Sequence, residues 1–367
     1  MKSAMRKLMV VVGTRPNFIK VTRIKRVATE RGGWEVSLVH TGQHFDQRMS
    51  TIFFDQFGLV PDHWLEIPQG SPNTQMAHIM LGLEKLIIAD RPDVMMVPGD
   101  VNSTLAAALT ANKMGIRLAH LESGLRSNDM GMPEEINRIL TDRITDDYMV
   151  TEPSGIAHLL AEGVGKERIH FTGNTMIDTL VAFEDRIQAS PVLQDLGLNG
   201  NGHVLMTIHR PATVDQPEEL RKLVDLVATV AKDHPVVFPV HPRTMGNLKR
   251  FGLDGKLAAI KDLHIAEPMD YFAFQKLIAT CAFVITDSGG IQEETTYRQV
   301  PCLTLRPNTE RPVTITDGSN ELITFDLREL DAAIARIHAG TFKKGRIPDL
   351  WDGHATERVF DALERAL

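Results

Sequence analysis

Cysteine is nearly absent from this chain. Cys281 and Cys302 are the only two in 367 residues, so no disulfide framework holds the fold and stability has to come from packing. Both sit beside apolar, strand-like runs and read as reduced core residues. Long apolar runs are missing as well, since no window approaches the roughly 18 apolar residues that span a bilayer. The start, MKSAMRKLMVVVG, has basic residues before an apolar run. At about six residues that run is too short for a signal peptide, and it leads into Thr14 and Arg15 as a first β-strand would. An excess of positive charge is lacking too. The net charge of −7 argues against nucleic acid as a partner, because polyanion binding needs a basic face. No membrane surface is suggested, and a cytoplasmic protein is expected. Metal patterns are absent: there is no HExxH, no Cys/His cluster and no acid pair at DxD spacing, and His40 and His44 in HTGQH match a metal pair poorly. Neither metal nor cofactor is expected. GLNGNG, at Gly197 to Gly202, precedes its strand instead of following it, which excludes a dinucleotide fingerprint.

What the chain does have is a regular alternation. Short apolar runs end in polar or Gly-rich turns at Lys7 to Gly13, Trp34 to His40, Asp93 to Gly99, Arg117 to Leu121, Asp147 to Val150 and Ile169 to Thr172. Helical patterns such as Met76 to Ala89 and Thr104 to Met114 lie between them. This predicts a parallel sheet covered by helices on both faces. The second half repeats the scheme near Val204 to Ile208, Val236 to Val240, His264 to Ala266, Phe283 to Thr286, Cys302 to Leu305 and Leu322 to Thr324. The length implies more than one core. The expected fold class is therefore α/β, two doubly wound Rossmann-like domains with an interdomain cleft, the first at 1–174 and the second at 175–354. The irregular Ser190 to Gly202 lies near the boundary.

The unusual residues fall at strand ends, where open α/β sheets bind ligands. After the run ending at Thr286 come Asp287, Ser288, Gly289 and Gly290, then a helical segment. Glycines let backbone N–H groups approach an anion, and a helix start presents free donors, so a phosphate cradle is expected. The bland alternative is a corner that Ser288 caps and Gly290 turns. Glu293 and Glu294 follow about one turn into the helix, where a carboxylate can accept from a ribose diol. The next strand delivers Glu310 and Arg311. In GTRPNFIK, Arg15 suits bidentate phosphate binding and Lys20 lies on the helix; solvated surface cations are the alternative. In PGDVNST, Asp100 is either a helix cap or an acid–base group. HLESGLRS puts Glu122 at a strand tip with His120, Gly124 and Arg126 nearby, and MPEEINR places Glu134 and Arg138 four apart on one helical face. Such clustered acids suit acid–base work, with a salt-bridge network as the alternative. TIHRP supplies His209 and Arg210, and VHPRT supplies His241 and Arg243, for phosphate binding or leaving-group protonation. Phe274 in YFAF is a base-stacking candidate or a core residue.

In order, GTRPNFIK, TGQHFD, PGDVNST, HLESGLRS, MPEEINR, TIHRP, VHPRT, TDSGGIQEE and LRPNTERP resemble the non-hydrolysing UDP-N-acetylglucosamine 2-epimerase family from about Leu8 to Phe325. The resemblance implies the glycosyltransferase B fold, a C-terminal helix (Ala355 to Leu367) that crosses back onto the first domain, and a homodimer. It implies interconversion of UDP-GlcNAc and UDP-ManNAc for polysaccharide synthesis, by elimination of UDP to 2-acetamidoglucal and re-addition. Carried over motif by motif, Asp100, Glu122 and Glu134 are the catalytic carboxylates, with Lys20, Arg138 and His209 in the reacting cluster. Arg15, His209, Ser288, Gly289 and Gly290 hold the diphosphate, Glu294 the ribose and Phe274 the uracil region, with Arg311 alongside.

Three departures bear on the sugar. Asn17 stands where the family usually has Glu, the loop from Glu122 to Glu134 is shorter, and PATVD follows His209 and Arg210 in place of REN. The short loop and TGQHFD also resemble the branch that epimerises UDP-2,3-diacetamido-2,3-dideoxyglucuronic acid. Some members carry a second, allosteric UDP-GlcNAc site at positions like Gln43, Arg210 and His241; here Asp46 replaces a usual Gln, so weak or absent activation is expected. A UDP-sugar glycosyltransferase and a nucleotide-sugar sensor without turnover are the competing functions.

Overall fold

The computed structural model describes residues 5–42, 54, 56–198, 200 and 202–367. Two compact units emerge, Met1–Ala182 together with Asp349–Leu367, and Phe183–Pro348. In the first, β1 (Arg6–Val12), β2 (Trp34–His40), β3 (His63–Trp64), β4 (Val94–Pro98), β5 (Arg117–Leu121), β6 (Asp147–Val150) and β7 (Ile169–Phe171) form one sheet in the order β3-β2-β1-β4-β5-β6-β7. Every pairing is parallel. Strands covered on both faces need continuous apolar runs, and β4 is buried at every residue. The helix Asn102–Met114 lays Ala106, Ala107, Ala108 and Ala111 against a core that includes Met9, Val11 and Met95. These small side chains let the helix be buried among its neighbours. The strand order reverses between β1 and β4, which pair through Leu8↔Val94, Met9↔Met95 and Val10↔Met96. Such a reversal is where open α/β sheets bind ligands.

Beyond Pro348 the chain rejoins this first unit. Trp351 Nε1 donates to Thr151 O at 2.9 Å, and the helix Ala355–Ala366 buries Val359, Phe360 and Leu363. Its first backbone donors are satisfied from afar. Asp178 accepts from Ala355 N at 3.0 Å and from Thr356 N and Oγ1, both at 2.6 Å.

The second unit holds β8 (Val204–Thr207), β9 (Val236–Pro239), β10 (Leu263–Ala266), β11 (Phe283–Thr286), β12 (Cys302–Leu305) and β13 (Asn320–Ile323), in the order β10-β9-β8-β11-β12-β13. These pairings are parallel too, and the reversal falls between β8 and β11. Two doubly wound α/β units are what the alternating pattern predicts. Two details differ. β3 has no counterpart among the apolar runs because both its residues are exposed. β13 begins at Asn320, two residues before the apolar pattern starts, because buried Asn320 binds Thr304 Oγ1 at 2.6 Å and Gln292 Oε1 at 3.1 Å. Both cysteines are free, and burial pushes the Cys302 thiol up to about 11. No helix among the described residues is long and apolar enough to cross a membrane.

Candidate active site

The carboxyl ends of β1, β4 and β5 carry the acids of the first unit. After β1 the chain enters the short helix Arg15–Ile19. Buried Asn17 accepts from Thr14 N at 3.3 Å and Thr14 Oγ1 at 3.0 Å, while its Nδ2 donates to Pro98 O at 3.1 Å. One side chain thereby ties the β1 loop to the end of β4. Lys20, which ends this helix, forms a buried ion pair with Glu122, so Lys20 is no solvated surface cation. Arg15 is half-buried on the same helix. Gly99 sits beside the pair with φ +68; a Cβ there would lie 3.0 Å from Lys20 Nζ, 3.2 Å from Asn17 Nδ2 and 3.5 Å from Glu122 Oε2. Only glycine fits. Glu122 itself is held at φ +66, a backbone state that a non-glycine residue adopts at a cost and that recurs at functional sites.

Asp100 does not cap the following helix, whose N-cap is Val101. Its carboxylate instead receives Arg138 Nε at 3.0 Å and Arg138 Nη2 at 2.7 Å, and remains partly exposed. Arg138 corrects one expectation. It pairs with Glu135, not with Glu134 four residues back. Glu135 is buried and accepts from Ser127 N at 3.0 Å and Asn128 N at 2.9 Å. Burial pushes its carboxyl upward, but those backbone donors and Arg138 outweigh it and leave it below the ordinary range. Glu134, one residue earlier, is exposed on the first turn of the helix Pro133–Ile144. Arg126 does not join the acid cluster either. It reaches Asp142 Oδ2 at 2.7 Å and Glu162 Oε1 at 2.8 Å.

In the second unit the corresponding strand ends carry His209, Asp287 and Arg311. Asp287, fully buried after β11, accepts from His209 N at 3.0 Å and Arg210 N at 2.8 Å, and lies 3.3 Å from His209 Nδ1. It thus builds the turn that presents His209, a role the sequence reading did not assign to it. The signal was an Asp directly after an apolar strand. Ser288 stands at the N-cap of the helix Gly289–Arg298 without a capping side-chain hydrogen bond. Its N–H donates to Thr286 Oγ1 at 3.0 Å, and Gly290 is half-buried beside it. Gly289 has a steric reason as well. A Cβ would stand 2.6 Å from Arg311 Nη1 and 2.8 Å from Glu310 Oε1. Arg311 is itself buried, with its Nε 2.8 Å from Glu293 Oε2 and a further pair to Glu310. Glu294 is buried on the same helix.

Three further candidates lie differently. Phe274 is partly buried and packs against the apolar cluster of Leu277, Ile278 and Val300. His241 is exposed, and its Nδ1 accepts from Arg243 N at 3.2 Å as the cap of the helix Pro242–Arg250. Arg210 is half-buried in the turn after β8. Gln43 and Asp46 lie outside the described residues. Among the described residues no three His, Cys, Asp or Glu side chains converge as a metal site requires. Chemically, the first unit offers carboxylates with partnered cations, and the second a helix start flanked by histidine and arginine, suited to an anion.

Comparison with known proteins identifies the family. A family model described as UDP-N-acetylglucosamine 2-epimerase matches residues 26–364. The UDP-N-acetylglucosamine 2-epimerase of Methanocaldococcus jannaschii is 38% identical over 342 residues, covering 89% of this chain and 91% of that protein. The UDP-2,3-diacetamido-2,3-dideoxy-D-glucuronate 2-epimerase of Pseudomonas aeruginosa is also 38% identical, over 364 residues, covering 98% of this chain and 99% of that protein. The crystal structure of the M. jannaschii UDP-GlcNAc 2-epimerase in complex with UDP-GlcNAc and UDP superposes with a TM-score of 0.88 at 36% identity, covering 98% of this chain and 99% of that one. The chain belongs to the non-hydrolysing UDP-N-acetylglucosamine 2-epimerase family.

Proposed function

We propose that this protein is a UDP-N-acetylglucosamine 2-epimerase that interconverts UDP-GlcNAc and UDP-ManNAc through elimination and re-addition of UDP. The observation that carries this reading is the pairing of Asp100 with Arg138 and of Glu122 with Lys20 at the ligand-binding end of the first sheet. The C2 proton is not α to a carbonyl, so enolisation is closed to it. In the proposed route a carboxylate takes that proton, its electron pair forms the C1=C2 bond, and the C1–O bond breaks to release UDP. UDP then adds back to C1 of 2-acetamidoglucal while a proton is delivered to the opposite face of C2. Asp100, Glu122 and Glu134 are the proposed proton carriers. Arg15, His209 and the Ser288–Gly290 turn would hold the diphosphate, whose charge grows as the C1–O bond breaks. Glu294 is assigned to the ribose and Phe274 to the uracil region.

A second reading keeps the chemistry and changes the sugar. The P. aeruginosa relative, as similar in identity and matched over more of the chain, supports UDP-2,3-diacetamido-2,3-dideoxyglucuronic acid as substrate. Proton NMR of each sugar nucleotide with the purified protein in deuterated water separates the two. Deuterium at C2 with UDP-ManNAc signals appearing is the expected result. An unchanged UDP-GlcNAc spectrum with exchange in the diacetamido-uronate would transfer the assignment to the latter. The family also supports a homodimer, which sedimentation would separate from the 40.8 kDa monomer, and a nucleotide-sugar substrate supports a cytoplasmic setting.

A further inference from the structure

Behind Asp100 and Glu122 runs a chain of buried charges. His120, on β5 two residues before Glu122, is 0% exposed. Its Nδ1 lies 2.7 Å from Asp142 Oδ1 and its Nε2 lies 2.8 Å from the carbonyl oxygen of Gly99. Both neighbours only accept. Asp142 is also given Gly124 N at 3.0 Å and Arg126 Nη1 at 2.7 Å, donors suited to an ionised carboxylate. A neutral imidazole has one N–H, so either tautomer would turn a lone pair toward an oxygen at hydrogen-bond distance with no water between. A ring with hydrogen on both nitrogens satisfies both contacts. Charges then alternate inward from partly exposed Glu162 to buried Arg126, Asp142 and His120, and Lys20 and Glu122 meet beside Gly99.

The ends of this chain of contacts matter. Gly99 precedes Asp100 directly, and Gly124 follows Glu122 by two residues, so Asp142 grips one acid-bearing loop and His120 the other. We propose that His120 is a buried imidazolium which, with Asp142, positions Asp100 and Glu122 for proton transfer. The functional half of this statement rests on the reading of the chain as a C2 epimerase. Neither residue is assigned a contact with substrate, so both are positioning residues, and small displacements of reacting groups are costly, about 100-fold for about 1 Å.

Two measurements on the full-length protein test it. With histidine ring nitrogens labelled, the unliganded protein should give two slowly exchanging N–H signals from one buried ring, lost in Asp142→Asn; a single N–H pattern for His120 would overturn the imidazolium. Asp142→Asn should lower kcat about 100-fold while KM and UDP affinity stay within about threefold, and Asp142→Glu should recover part of the rate. A folded Asp142→Asn variant with wild-type kcat, or one whose UDP affinity falls in step with kcat, would overturn the positioning role. Where that variant does not fold, His120→Gln, which keeps a donor toward Gly99, takes its place with the same kinetic criteria. The ring signals need no substrate, so a wrong assignment of the sugar leaves that measurement intact and appears only in the turnover of wild-type protein.

Discussion

Asp100 separates chemistry from binding most cleanly, because among the described residues its carboxylate has Arg138 as its one hydrogen-bonding partner. Asp100→Asn should lower kcat by about 10²–10⁴-fold, the usual worth of a general acid or base, while UDP affinity by calorimetry stays near wild type. Turnover retained in Asp100→Asn would remove it from the reaction. The neighbouring glutamates make a sharper contrast. Glu135→Gln removes one of the two carboxylates paired with buried Arg138, leaving Asp100 as the other, and should cost about 1–3 kcal/mol of stability, seen as an earlier denaturant midpoint. Glu134→Gln lies in water and should leave the midpoint unchanged while lowering kcat. The reverse pattern would exchange their roles. Sequence could not tell these two apart. The buried stripe of their helix is polar, running through Glu135, Arg138, Thr141 and Asp142, whereas Leu140 faces solvent at 47% exposure. Apolar periodicity, the usual guide to the inner face, therefore points the wrong way.

Elements were far more legible than side-chain partners, because a strand covered on both faces must be apolar throughout, whatever its loops contain. β2, β5, β6, β11 and β12 occupy the spans their apolar runs mark. At strand ends the same argument fails, since polar groups there choose partners from other loops. Asp287 finding His209 N and Arg210 N across 78 and 77 positions is one example. The helix Gly289–Arg298 shows how the two levels combine: its first residue must be glycine to pass Arg311 as well as to expose donors. Gly289→Ala should weaken UDP binding at least about tenfold and destabilise by about 1–3 kcal/mol, the usual range for overpacking; wild-type UDP affinity would show that the turn does not touch the nucleotide. A second consequence concerns acid. His203, just before β8, donates from Nε2 toward Leu277 O at 3.1 Å, and burial pushes it from 6.5 down to about 4. With the folded value below the unfolded one, its contribution is complete above 6.5 and is lost as pH falls toward 4. His203→Gln keeps the donor and cannot take up the proton. The change in denaturant midpoint between about pH 7 and 5 should shrink in that variant, and an unchanged difference would place the acid sensitivity elsewhere.

At the scale of the whole molecule the two units differ in how the chain supplies them. The second is continuous, Phe183–Pro348, whereas the first is completed only by Asp349–Leu367 after the second has been made. That last segment is core. Trp351, Ala355, Val359, Phe360 and Leu363 are each at most 1% exposed, and Asp178 would keep its carboxylate but lose the three donors at Ala355 and Thr356. Losing that apolar cover costs about 1.5–3 kcal/mol for each large side chain, a large share of the about 5–15 kcal/mol that holds a domain together. A fragment ending at Pro348 should therefore lose the cooperative unfolding transition of its first unit. A fragment of 183–348 carries both faces of its own sheet in one stretch, and it should unfold in a single transition and still bind UDP. Cooperative melting of 1–182 alone would show that the C-terminal helix is an accessory. Failure of 183–348 to fold would show that the second sheet depends on the first for its stability, which its closed apolar core does not suggest.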